Sequence, residues 1–135
     1  MWGALVMSQP TRSANDRSLG AQLALTIAAK DAHALRALFS TPVVFRGVTP
    51  RRFWDAETPL GVAEIVLETW FGPDKTITDV ISVETDTLAD VKKVSYRMAV
   101  DLPSGPTLIE QVAYYSEENG QITHLRLVCS GFCPV

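Results

Sequence analysis

The chain has 135 residues, of which 47% are apolar and 20% are charged, and its net charge is −3. This length suits one domain, and this composition is typical of a globular protein rather than a disordered one. The longest basic clusters are Arg51-Arg52 and Lys92-Lys93, so a nucleic-acid partner is not expected. No apolar run approaches the roughly 20 residues of a membrane span, so we expect a cytoplasmic protein without a membrane partner.

The N-terminus is apolar from Met1 to Met7, but it lacks the basic region and the longer apolar core of a signal peptide. We interpret residues 1–14 as a disordered or loosely packed tail, with a functional apolar arm as the alternative. Residues 15–135 contain no repeat and no linker, so we expect them to form a single α+β domain.

Two helices are predicted before the first strand. The first begins at Asn15, because Leu19, Leu23 and Ile27 recur every four residues and therefore share one face. Asp31 is suited to cap a second, short helix that runs from Ala32 to Phe39.

A strand and a third helix follow. The β-branched and aromatic segment from Val43 to Arg46 predicts a strand, and Arg52 to Trp54 predicts a short extended piece or an irregular wall. Thr58-Pro59 then opens the third helix, because threonine caps well and proline suits the first helical position. Gly72-Pro73 ends that helix.

The second half of the chain switches to strand patterns joined by short turns. Asn119-Gly120 supplies the positive φ angles that a tight hairpin needs, and strands joined by such short turns pair antiparallel. The predicted strands are Ile77 to Glu84, Val91 to Asp101, Thr107 to Tyr115 and Ile122 to Ser130.

The last two strands carry apolar residues on both faces. Leu125 and Leu127 alternate with Val128, and Tyr114 alternates with Tyr115. A sheet that is apolar on both sides must be covered twice. Three helices can cover one face, so we predict a homodimer that packs through the other face of the sheet.

The order helix, helix, strand, helix and four strands resembles the nuclear-transport-factor-two-like superfamily, most of all its SnoaL-like branch. The segments that carry the resemblance are Lys30 to Leu35, Val43 to Arg46, the helix from Thr58, and Glu110 through Asn119-Gly120 to Leu127. The resemblance implies a cone-shaped α+β barrel with three N-terminal helices packed on a curved, mostly antiparallel sheet. It also implies a mostly apolar pocket for a small hydrophobic or aromatic molecule.

The same resemblance implies a function without fixing a reaction. Relatives of this kind include isomerases, cyclases and hydrolases, and others are non-catalytic interaction or dimerisation modules, which is the alternative here. Matching the ketosteroid isomerase pattern to this chain puts Arg46 near the position of their catalytic aspartate, and an arginine cannot act as a general base. Catalytic residues are therefore not assigned, and no cofactor is implied.

Several charged and polar residues are candidates for the pocket because alternation lets them face inward. Arg46 is an anchor for an anion or carbonyl if it faces inward, and a surface residue otherwise. Arg97 and Asp101 share a face of their strand. If that face is inward, they form a pair that orients a polar ligand; if it is outward, Tyr96 lines the pocket instead.

One residue of the Glu110-Gln111 step must also face inward. An inward glutamine offers a donor and an acceptor without charge, whereas an inward glutamate is an acid or base with a raised pKa. The full set of candidate pocket residues is Arg46, Trp54, Trp70, Tyr96, Arg97, Asp101, Glu110, Gln111, Tyr115 and Cys129. The two tryptophans, Tyr115 and Cys129 are packing residues in the alternative interpretation.

No metal site is predicted. Cys129 and Cys133 lie four residues apart, and the two histidines are His33 and His124, which makes a poor zinc pattern. Without an export signal both cysteines are expected to be free thiols. His124 has the opposite strand parity to Cys129, so a nucleophilic Cys–His pair is not expected.

Overall fold

A computed structural model describes residues 17–135, and in this range three helices pack on one seven-stranded sheet. The interpretation of residues 1–14 and the predicted helix start at Asn15 lie outside this range. The helices are α1 (Leu19–Ala28), α2 (Ala32–Ala37) and α3 (Pro59–Ala63), and α3 continues as a π-helix over Glu64–Trp70. None of them is long and apolar enough to cross a bilayer.

The sheet has the order β2-β1-β6-β5-β4-β3, with β7 paired to β5. Among the strands of residues 17–135, only the pairing of β1 with β6 is parallel, so the sheet is mostly antiparallel as predicted. The strands are β1 (Phe39–Thr49), β2 (Arg52–Ala56), β3 (Thr76–Leu88), β4 (Val91–Leu102), β5 (Gly105–Glu118), β6 (Gln121–Cys129) and β7 (Cys133–Pro134).

The first helix follows its predicted stripe. Leu23 and Ile27 are fully buried, and Ser18 caps the helix by accepting a hydrogen bond from the Ala21 N–H at 3.1 Å. Burying side chains of this size contributes about 1.5–3 kcal/mol each, so the stripe fixes α1 against the sheet.

The second helix ends earlier than predicted. Asp31 caps it as expected, by accepting from the Ala34 N–H at 3.0 Å, but the helix stops at Ala37 rather than at Phe39. The next turn docks on β6 instead, because the Ile122 N–H donates to the Leu38 carbonyl at 2.7 Å. Phe39 therefore opens a strand of 11 residues, which is longer than the predicted Val43 to Arg46.

The third helix begins as predicted and then changes its winding. Thr58 accepts from the Gly61 N–H at 3.0 Å, and Pro59 takes the first helical position. The last seven residues adopt π-helical winding, a rare form that the sequence pattern did not predict. This segment ends on Trp70, which is buried against the sheet.

The predicted fold class is confirmed: the molecule is an α+β structure in which helices cover one face of a curved, mostly antiparallel sheet. The short extended piece predicted at Arg52 to Trp54 is a true strand that pairs with β1. The core lies between the helices and the inner face of the sheet, and Phe45, Met98, Ile109 and Leu127 are among its buried residues.

Close packing of Gly47 beneath Trp70 gives a first prediction. A Cβ atom at Gly47 would lie 2.9 Å from the Trp70 Cη2 atom, and that ring is held by neighbouring aromatic rings. We expect Gly47→Ala to lower the free energy of unfolding by about 1–3 kcal/mol, because overpacking forces the buried ring to move. Denaturant unfolding measures this change. Val48→Ala, at the neighbouring outward position, should change stability by no more than about 0.5 kcal/mol, and an equal loss in both variants would contradict a role for close packing.

Candidate functional site

Three of the sequence-predicted pocket residues lie in one row across the inner face of the sheet. Tyr96 on β4 is paired with Gln111 on β5, which is paired with Cys129 on β6. All three are buried, and the inward residues two positions away along the strands are buried and apolar, namely Val94, Met98, Ile109, Ala113 and Leu127. The row is therefore a short polar stripe within an apolar interior.

A buried hydrogen bond joins two members of this row. The Tyr96 hydroxyl donates to the Gln111 Oε1 atom at 2.6 Å. The opposite end of the amide, Gln111 Nε2, has no hydrogen-bond partner among the described residues. Buried side-chain donors are normally paired, so this N–H group is a position where an acceptor is expected.

The surroundings of Tyr96 keep its hydroxyl protonated. Burial raises the pKa of Tyr96 well above its ordinary value of 10.0, and the adjacent Cys129 raises it further. Tyr96 therefore remains a neutral hydrogen-bond donor at physiological pH. It fixes the amide of Gln111 with its oxygen toward the phenol, so the buried Nε2 atom is the end that is left without a partner among the described residues.

Trp70 supplies a second unpaired donor. Its ring lies 6.1 Å from Phe45 and 6.0 Å from Trp54, and it sits directly over Gly47. Trp54 is anchored in turn, because its Nε1 donates to Thr49 Oγ1 at 2.8 Å. The Trp70 Nε1 atom is buried and has no partner within residues 17–135.

Tyr115 also faces inward, but its hydroxyl is already used. It accepts a hydrogen bond from the Gly20 N–H at 2.9 Å and so ties the start of α1 to β5. Gly20 is close-packed there, because a Cβ atom would lie 2.9 Å from that hydroxyl. Tyr115 therefore acts as a structural contact between helix and sheet.

Four predicted pocket residues point the other way, so they do not line the interior, and their role in ligand binding stays a prediction. Arg46, Arg97, Asp101 and Glu110 are exposed on the outer face of the sheet. Alternation decides this, because their neighbours along each strand are buried in the core. Arg97 does form an ion pair, but with Glu110 at 3.6 Å and not with Asp101.

The outer face also carries residues that the sequence pattern did not single out. Phe53 is 84% exposed and Val128 is 51% exposed, and both line a groove with Arg46 and Arg126. The alternation of Arg126 with Leu125 and Leu127 signals its outward position. The sequence pattern did not indicate that Arg126 pairs with Arg46 across the parallel strands β6 and β1. The predicted homodimer through this face stays a prediction.

The cysteines are free thiols, as expected. Cys129 is buried and accepts a weak hydrogen bond from the Gly131 N–H at 3.4 Å, whereas Cys133 is exposed. Within residues 17–135, no three His, Cys, Asp or Glu side chains are grouped so that they could hold a metal ion.

The sequence matches no protein-family model and no curated protein. Solved structures nevertheless share its architecture. The fold is ketosteroid isomerase-like. A protein of that fold from Catenulispora acidiphila, solved with trimethylamine, has a TM-score of 0.63 and 12% identity, covering 84% of this chain and 85% of that chain.

Two further structures agree on the fold. A Rhodopseudomonas palustris protein assigned as an isomerase has a TM-score of 0.68 and 14% identity, covering 87% of this chain and 92% of that one. A Pseudomonas putida protein assigned as a polyketide cyclase has a TM-score of 0.63 and 12% identity, covering 81% and 86%. The predicted resemblance is thus confirmed at the level of fold.

The raised pKa of Tyr96 predicts a change in the pH dependence of stability. Tyrosine in the unfolded chain ionises near pH 10.0, whereas buried Tyr96 stays protonated, so the free energy of unfolding falls as pH rises above about 10. We expect Tyr96→Phe to make this fall shallower by up to about 1.4 kcal/mol per pH unit, because one titrating group is removed. Urea unfolding at several alkaline pH values measures the slopes. Parallel profiles for wild type and variant would contradict the burial of an un-ionised Tyr96.

Proposed function

We propose that the protein binds a small, neutral, largely apolar molecule through an acceptor oxygen inside the cone formed by the sheet and helices. The observation that carries this proposal is the unpaired Nε2 donor of Gln111, held in place by the hydrogen bond from Tyr96. A carbonyl, hydroxyl or ether oxygen is the ligand group that can accept a hydrogen bond from such an N–H donor.

The free-energy cost of the unpaired Gln111 donor favours a ligand. An unpaired buried donor costs about 1–3 kcal/mol, and an acceptor that reaches it recovers much of this cost. Trp70 offers a second unpaired N–H donor in the same core. An ordered water would be the competing partner, but a water needs several polar neighbours, and the side chains around this row are mostly apolar.

The neutrality of the ligand follows from the neutrality of the interior. Within residues 17–135, the buried polar residues besides the tyrosines, Trp70 and Cys129 are Thr107 and Gln111, and none of these side chains is an acid or a base of the Asp, Glu, Lys, Arg or His type. The Thr107 hydroxyl already donates to the Val100 carbonyl at 2.7 Å. A charged ligand would lose its hydration here without gaining a partner of opposite charge, which is strongly unfavourable.

The same donor also suits a reaction. An N–H group aimed at a carbonyl oxygen stabilises the negative charge that develops when the carbonyl compound enolises or cyclises. The isomerase and polyketide cyclase assignments of the similar structures favour chemistry of this class. Gln111 would be the oxygen-binding residue in such a SnoaL-like enzyme, and Tyr96 would be its positioning residue.

A matched pair of probes tests the binding. We expect 2-acetylnaphthalene to bind about 2–10-fold more tightly than 2-ethylnaphthalene, because only the ketone offers an oxygen to Gln111. Titration followed by tryptophan fluorescence measures both affinities. Equal affinities in the wild-type protein would contradict recognition of an acceptor, and no binding of either probe would contradict the small-molecule function.

Two variants test whether Gln111 and Tyr96 produce the preference for the ketone. The double variant Tyr96→Phe with Gln111→Leu removes both polar groups together, so neither side chain is left unpaired, and its fold should persist. It should lose the preference for the ketone while still binding the hydrocarbon. Glu110→Gln is the matched control, because it changes the neighbouring outward residue and should keep the preference.

A non-catalytic interaction module is the second candidate function. It is favoured by the exposed apolar side chains of the outer face, among them Val44, Val48, Phe53 and Val128. Exposed patches of this kind often mark contacts between proteins. Under this alternative, sedimentation at micromolar concentration should give a homodimer, as the two-sided strands predict, and neither naphthalene probe should bind.

A further inference from the structure

The outer face of the sheet holds a groove of about 550 Å³ that the proposed binding of a small molecule in the interior does not use. It lies where β2, β1 and β6 run side by side. Its apolar lining includes Val48, Phe53 and Val128, and its polar lining includes Arg46, Arg126 and Asp55. A groove of this volume lies within the usual range of sites for small organic molecules.

Two arginines on neighbouring strands line this groove. Arg46 on β1 and Arg126 on β6 are direct partners in the parallel register, and both side chains face outward. Neither has an acidic partner within 4.0 Å among the described residues, although Asp55 is opposite Arg46 on β2. Like charges on directly opposed strand residues destabilise a sheet, and a bound anion would relieve this repulsion.

The surroundings of the two arginines are apolar and open. Phe53 and Val128 are exposed at the groove, and Tyr114 is paired with Arg126 on the neighbouring strand. We propose that the groove binds a small organic anion with a flat apolar body, such as an aromatic carboxylate. The guanidinium forks would hold the carboxylate, since arginine matches its geometry with two parallel hydrogen bonds. The apolar body would lie against Phe53 and Val128.

A second copy of the chain fits this groove less well. A two-fold axis through the groove would bring the same surface of both copies together, so Arg46 and Arg126 of one copy would face the same two arginines of the other copy. That arrangement would add like charges to a pair that is already repulsive. The groove carries two cations and one carboxylate, so its charge complements an anion rather than itself.

This proposal is independent of the proposed function. The groove is on the outer face of the sheet, whereas Gln111 and Tyr96 are buried on the inner face. A variant of one site therefore leaves the other intact, and the two proposals can fail separately.

The test uses 2-naphthoate and its neutral isostere 2-naphthamide, titrated calorimetrically into the full-length protein at low salt. Saturating 2-acetylnaphthalene is present in both titrations, so that the interior site proposed above is occupied and only the outer groove is compared. We expect the carboxylate to bind about tenfold more tightly than the amide, because only the carboxylate carries charge to the two guanidiniums. Arg46→Gln and Arg126→Gln should each weaken naphthoate binding about tenfold. Added salt should weaken it as well, since the arginines are exposed.

An arginine outside the groove provides the matched control. Arg97→Gln changes an outward arginine that is paired with Glu110 and does not line the groove, so it should leave naphthoate binding unchanged. Equal binding of the two probes to the wild-type protein would overturn the proposal. So would wild-type affinity for naphthoate in both the Arg46→Gln and the Arg126→Gln variant. Sedimentation provides a second check. A dimer that does not bind naphthoate and is not dissociated by it would also overturn the proposal, and would assign the groove to a second copy of the chain.

Discussion

The structure depends on the alternation of side chains along β4, β5 and β6, which divides one sheet into two chemically different faces. On the inner face, alternation aligns Tyr96, Gln111 and Cys129 in a row between apolar neighbours. The 2.6 Å hydrogen bond from Tyr96 then orients the Gln111 amide. Without that bond the amide oxygen and nitrogen would both be unpaired in the core, at a cost of about 1–3 kcal/mol for each group.

The outer face has the opposite character. The residues that alternate with the buried residues of each strand face outward, and they include arginines, carboxylates and exposed apolar side chains. Arg97 is neutralised by Glu110 at 3.6 Å, whereas Arg46 and Arg126 lie together without such a partner among the described residues. The sheet therefore separates an interior without charged side chains among the described residues from an outer groove that is lined by two arginines and one aspartate.

Local patterns predicted most of the fold, because caps, stripes and turns act over a few residues. Asp31 and Thr58 cap their helices as expected, and the strands after Thr76 pair antiparallel as expected. The site was harder to predict. Apolar residues occupy both parities around Arg46, so local pattern could not tell its face, and only the register with β6 shows that it lies beside Arg126. The π-helix that ends on Trp70 likewise has no signature in the helical period.

The central claim is that the Gln111 side-chain amide donates to a ligand oxygen in the interior. Nuclear magnetic resonance of the ¹⁵N-labelled protein observes this group directly, with its signal assigned by comparison with Gln111→Leu. On addition of 2-acetylnaphthalene, a new hydrogen bond should move the Gln111 side-chain amide protons downfield and slow their exchange with water. An amide signal that stays unchanged while the ketone binds would contradict this claim.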